Sequence, residues 1–177
     1  MVKLNLGSGD DIRPGYINLD YYAAPGVDQV YDLEDMPYPY PDNYFEEIYA
    51  SHIIEHMSDL IKTMIELHRI TKPGGKIIIR VPHFSAWSNF ADPTHKRQFS
   101  YSTFDWFTST QFFQKRDEMG LFKIVKKRIN YFPMHLPSYK LNWIFYPLLN
   151  WFPRIYERLL HGIFPAAELY FELEVKK

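Results

Sequence analysis

The sequence predicts an α/β fold around a mostly parallel sheet, and three observations carry that expectation. Strand-like and helix-like segments alternate along the chain, the pattern of a parallel sheet with helices on both faces. The first strand runs directly into the glycine turn Gly7-Ser8-Gly9, and Asp20 follows eleven residues after Gly9 at the end of Tyr16-Ile17-Asn18-Leu19-Asp20. The length of 177 residues suits one compact domain, 1–177, with a single hydrophobic core.

Strands are expected near 2–6, 16–20, 28–32, 45–51 and 75–81. A helix over about 54–71 follows from Met57, Leu60, Ile61, Met64, Ile65 and Leu67 at helical spacing, with Lys72-Pro73-Gly74-Gly75 ending it. A further helix is expected to begin at Ser102, capped by a box with Asp105, and to stop at Gly120. Segments 122–132 and 168–175 read as two final strands. An aromatic-rich insertion at about 133–165 separates them, and no internal repeat is apparent.

Lys plus Arg is 20 and Asp plus Glu is 21, giving a net charge of −1, so no broad field attracts nucleic acid. The absence of cysteine excludes disulfides, thiolate zinc sites and cysteine nucleophiles. Met1 leads almost directly into a strand, which leaves no room for a signal peptide and gives a cytoplasmic expectation.

The turn after the first strand reads as a nucleoside-cofactor site. Glycines let backbone pack against a ligand, and an acid at the end of the next strand is placed to grip a ribose. From Gly7 to Tyr16 the crossover has ten residues and contains Pro14, about the minimum for a parallel connection, so a long first helix does not fit. Ile12 stands where a dinucleotide site wants its third glycine, so the phosphate-binding device is weak. S-adenosylmethionine carries no phosphate and suits the truncated connection. The plainer alternative is an ordinary turn with Asp20 and Asp32 capping it.

Leu4 to Gly9, Asp20, Asp32-Leu33 before Met36-Pro37-Tyr38-Pro39, Phe45 to His56 and Leu67 to Pro82 occur in this order. Together they resemble the class I S-adenosylmethionine-dependent methyltransferases, type 11 subgroup, over roughly residues 3–82. The resemblance implies a Rossmann-like three-layer sandwich whose seven-stranded, mostly parallel sheet has an antiparallel last strand. It also implies that Leu6, Gly7, Ser8 and Gly9 line the methionine part of the cofactor and that Asp20 accepts the ribose hydroxyls. Asp32 would hold the adenine amino group, Leu33 would offer its amide, Tyr21 would pack on the adenine face, and Ser51 would face the methionine moiety. Asn5 departs from the acid often found before the turn, and Arg13 is one candidate partner for the methionine carboxylate.

His52-Ile53-Ile54-Glu55-His56 also fits H-x-x-E-H, the zinc motif of inverted metallopeptidases, provided that both histidines share a helical face. In the methyltransferase reading His56 instead looks toward cofactor and substrate.

The long segment after the fifth strand, Pro82 to Phe99, is the best candidate for substrate chemistry. Methyl transfer is an in-line displacement in which alignment does most of the work, with a base needed for a hydroxyl acceptor. His95 is the expected base and Asp92 its orienting partner, with His56 and His83 in reserve. The histidines with Asp92 could also hold a divalent metal, as the resemblance allows for methyltransferases that present a diol on one, but the spacing does not demand it.

Between Pro137 and Pro153 the insertion carries Trp143, Ile144, Phe145, Tyr146, Leu148, Leu149, Trp151 and Phe152, with only Lys140 charged. It is too short, and too interrupted by Pro147, to span a bilayer. A lid over the substrate site is expected, with a homodimer interface or peripheral membrane contact through 137–153 as the alternatives. The functional expectation is O-methylation of a small-molecule or glycan-like acceptor. A non-catalytic nucleoside-binding scaffold comes second and a zinc peptidase third.

Overall fold

The computed structural model describes residues 1–108 and 120–177. Seven strands form one sheet: β1 (Lys3–Leu6), β2 (Ile17–Asp20), β3 (Gln29–Val30), β4 (Phe45–Ser51), β5 (Thr71–Pro82), β6 (Phe122–Asn130) and β7 (Glu168–Val175). Their order is β3-β2-β1-β4-β5-β7-β6. The first five strands pair in parallel, while β7 enters antiparallel between β5 and β6. This is the expected sheet, with the antiparallel strand last in the chain but inside the sheet.

Alternation places Leu169, Phe171, Leu173 and Val175 in the core. Parallel strands covered on both faces need longer apolar runs. Leu4 and Leu6 of β1, Ile48 and Ala50 of β4, and Ile77, Ile79 and Val81 of β5 are all fully buried.

The connection from β1 to β2 has no helix. Asn5 Nδ2 donates to the Asp11 carbonyl at 2.7 Å and to Asn18 Oδ1 at 3.0 Å. Asn18 Oδ1 also accepts from the Arg13 amide, and Asp28 Oδ2 accepts from the Asn18 amide. These amides do the ordering work that a helix would otherwise do, and they give Asn5 its role: it ties the crossover shut.

The helix expected over 54–71 is divided. Ile54–His56 form a 3-10 turn, Met57 is extended, and α1 runs over Leu60–Ile70. Asp59 causes the restart, because its side chain accepts from the Ile61 and Lys62 amides as an N-cap. The chain then enters β5 at Thr71, and Pro73-Gly74-Gly75 lies within an irregularity of the β4–β5 register.

The expected capping box at Ser102 does not form. Thr103–Phe107 is a short 3-10 turn with no side-chain cap, and Asp105 instead pairs with Lys127 at 2.7 Å. The rest of that expected helix, 109–119, lies outside the described residues.

In the insertion, Pro137–Leu141 form a 3-10 turn that leads into α2 (Asn142–Asn150). Asn150 bonds both the amide and the carbonyl of Ile129, and Asn142 does the same with Phe132. Leu149 and Tyr156 are buried, whereas Trp143, Trp151 and Phe152 stay exposed. Among the described residues, no helix is long and apolar enough to cross a membrane.

Candidate active site

The carboxyl ends of β1, β2 and β4 converge on the glycine turn, the edge at which open α/β sheets bind ligands. Gly7 and Gly9 adopt φ of 64° and 48°, in the left-handed region that favours glycine. A Cβ at Gly7 would meet the Ile53 side chain at 2.5 Å, whereas one at Gly9 would meet nothing within 4 Å. The turn therefore packs closely against the chain after β4 on one side and stays open on the other. Ser8 is buried, and its Oγ has no hydrogen-bond partner among the described residues. An orphaned polar atom beside an open glycine is what a bound polar ligand would complete.

Asp20 is held ready at the end of β2. Its Oδ2 accepts from the Gly9 amide at 2.7 Å and its Oδ1 from the Tyr22 amide at 3.1 Å. Asp32 caps a turn, accepting from the Glu34 amide at 2.9 Å. Leu33 is buried, and Tyr21 is 57% exposed and meets Tyr22 edge-on. Leu6 is buried in the core, and Ser51 ends β4 half-buried. Arg13 is occupied elsewhere: its guanidinium lies 3.4 Å from the Tyr49 ring centroid and its Nε bonds Asp11.

His52, directly after β4, has φ of 55°, unusual for a residue with a side chain. Its Nε2 lies 3.0 Å from Glu168 Oε1 and its Nδ1 lies 3.3 Å from Glu55 Oε1. Burial alone would lower its pKa, but the bonds to Glu168 and Glu55 outweigh this and push it up to about 9. Because His52 precedes the 3-10 turn and faces Glu168, it does not share a helical face with His56. The peptidase arrangement expected from H-x-x-E-H is therefore not formed.

Glu168 belongs to a buried network that sequence reasoning missed. Arg80 Nη2 donates to its Oε1 at 2.6 Å, Arg80 Nη1 donates to the Tyr49 hydroxyl at 2.9 Å, and Asn130 Nδ2 donates to Glu168 Oε2 at 3.2 Å. A lone arginine inside Ile77-Ile78-Ile79-Arg80-Val81 was the available signal, since a charge in an otherwise apolar central strand needs a partner.

The expected catalytic residues divide into two groups. His56, Asp92 and His95 come together: the His56 and His95 rings are 4.8 Å apart and T-shaped, and His95 Nε2 lies 3.7 Å from Asp92 Oδ2. Thr94 links them, its Oγ1 lying 2.6 Å from Asp92 Oδ1 and 3.0 Å from His56 Nδ1. The hydrogen bonds from Thr94 also hold the Asp92 carboxyl below its usual pKa. His83 lies apart and is fully buried. Its Nδ1 meets Ser85 Oγ at 2.7 Å and its Nε2 meets Glu157 Oε1 at 3.3 Å, so both ring nitrogens are engaged and it is not placed to act as a reserve base.

Comparison with known proteins agrees with this architecture. Residues 9–79 match the family model described as a methyltransferase domain. A 39-residue stretch is 38% identical to an uncharacterized methyltransferase of Schizosaccharomyces pombe, and the match covers 22% of this chain and 14% of that protein. A SAM-dependent methyltransferase from Archaeoglobus fulgidus is similar in structure with a TM-score of 0.62 at 16% identity, covering 98% of this chain and 85% of its own. The YcgJ protein of Bacillus subtilis gives 0.60 at 17% identity, covering 99% and 92%. The sheet order and the glycine turn define an α/β protein of the open-sheet type. The methyltransferase-domain match spans residues 9–79, less than half of the chain, and the fold as a whole is the one seen in the Archaeoglobus fulgidus SAM-dependent methyltransferase.

Proposed function

We propose that this chain binds S-adenosylmethionine at the Gly7–Gly9 turn and methylates an oxygen of a small-molecule or glycan-like acceptor seated against His56, Asp92 and His95. The observation that carries this reading is the contact between the two halves of the site. Ile53 packs against Gly7, and three residues further on His56 meets Thr94 and His95. The glycine turn and the histidine cluster are thus joined through one short stretch of chain.

Bound at the turn, the cofactor would supply an electrophilic methyl group on a sulfonium. Gly9 leaves room for its amino-acid end, Ser8 Oγ would gain a partner, and Asp20 would accept the ribose hydroxyls. His56 and His95, with Asp92, would hold the acceptor hydroxyl in line with that methyl group and take up its proton as the transfer proceeds. The aromatic insertion reaches the segment after β5, where Glu157 meets His83, and we assign it to shielding the acceptor.

Calorimetry with S-adenosylhomocysteine tests the cofactor half. Asp20→Asn should weaken binding by about 1 to 3 kcal/mol through lost charge-assisted hydrogen bonds. Tighter binding of NAD than of S-adenosylhomocysteine would overturn the assignment.

A further inference from the structure

We propose that Glu55, His56 and His95 form a binding site for one divalent transition-metal ion beside the cofactor turn. Each residue offers one ligand atom, and the three atoms lie within 4.8 Å of one another. Ligands about 2.1 Å from a tetrahedral ion stand about 3.4 Å apart, so binding draws the widest pair inward by up to about 1.4 Å.

Glu55 is the independent indication. Its side chain is fully buried, yet among the described residues neither carboxylate oxygen has a hydrogen-bond partner of acceptable geometry. His52 Nδ1 stands at 3.3 Å, within ion-pair range only. His52 already offsets part of the cost of burying this carboxylate through Oε1, and Oε2 is the oxygen left to meet a second cation. His95 Nδ1 is likewise buried and unpartnered.

The surroundings match what metal-binding imidazoles require, since a ligating histidine is oriented by a second polar group on its other nitrogen. Thr94 Oγ1 is 3.0 Å from His56 Nδ1, and Asp92 Oδ2 is 3.7 Å from His95 Nε2. The Asp92-Pro93-Thr94 turn thus reaches both histidines at once. Two imidazoles and one carboxylate suit zinc, iron or cobalt rather than calcium or magnesium, and three protein ligands leave a position open.

This deepens the proposed O-methylation and reassigns the histidines from handling a proton to holding the ion. An acceptor hydroxyl in the open position would have its pKa lowered, release its proton to solvent and attack the methyl carbon as an oxyanion.

The test is titration of the full chain with Co²⁺ alone, read by visible absorption. One equivalent should bind and be displaced by Zn²⁺, and His95→Gln and His56→Gln should each weaken binding about 100-fold, with Asp92→Asn costing about tenfold. Glu55→Gln should act likewise, with circular dichroism showing whether that buried substitution keeps the fold. Absence of one-to-one Co²⁺ or Zn²⁺ binding at about 100 µM, or unchanged affinity in both histidine variants, would overturn the site. S-adenosylhomocysteine binding is measured on the same samples. Cofactor binding without the ion sinks this inference alone, whereas ion binding without the cofactor sinks the methyltransferase reading alone.

Discussion

Gly7 combines two constraints that no other residue satisfies. Its φ is left-handed, and its missing Cβ makes room for Ile53. Gly7→Ala should therefore lower stability by about 1 to 3 kcal/mol in urea denaturation, and Ile53→Ala on that background should recover part of the loss. The sequence shows the glycine but not its neighbour. Ile53 looks like one more apolar residue in His52-Ile53-Ile54, and only the return of β4 beside β1 brings it to the turn. The same holds for Glu55 and His95, forty residues apart, whose proximity depends on how the segment after β5 folds back on the 3-10 turn. Lys96 donates its amide to the Glu55 carbonyl at 2.9 Å, which fixes that return. His83 was misread as reserve chemistry because a histidine's environment does not show in a linear sequence. Ser85 is within sight of it, but Glu157 lies 74 residues on.

Elements with strong local patterns were legible. The extents of β4 and β7 match the expectation residue for residue, because β4 carries the buried run Ile48-Tyr49-Ala50 after the Pro41-Asp42-Asn43 turn and β7 alternates with period two. Boundaries fixed by a single polar side chain were less so. Asp59 lies inside a continuous apolar periodicity, yet it ends one turn and starts the next helix. Asp59→Ala should cost about 1 kcal/mol of stability, measured by thermal unfolding, by leaving two amides unpaired. The insertion shows the same dependence on polar anchors. Asn150→Ala removes two bonds to the backbone of Ile129 at the sheet edge. It should loosen α2, raising amide exchange over 142–150, while β1, β4 and β5 stay protected.

Across the whole molecule, charge placement sets the response to acid. Burial would raise the Glu168 pKa, but the bond from His52 and the charge of Arg80 outweigh it and hold the carboxyl below its usual value. A carboxylate depressed in the folded state adds stability above its unfolded pKa of about 4.5 and loses it as pH falls through the folded value. Wild-type melting temperature should thus drop more steeply than that of Glu168→Gln as pH falls from about 5 toward 3. Equal slopes in the two proteins would show that Glu168 is not depressed. Trp143 and Trp151, 74% and 67% exposed, contribute little to this core. Replacing both with serine should change unfolding free energy by less than about 0.5 kcal/mol each, with S-adenosylhomocysteine affinity preserved.

The place of β7 sets an order of assembly. During synthesis β5 emerges long before β7, so Arg80 waits 88 residues for the carboxylate that neutralises it. Over that interval β6 has no seat on the sheet, because its neighbour β7 follows it in the chain. The nascent protein therefore presents a half-finished sheet with a charged gap on one side, which closes only when a late strand threads between two earlier ones. A ribosome stalled before Glu168 would hold a chain whose Gly7–Gly9 turn has been synthesised while the strand that completes the sheet has not.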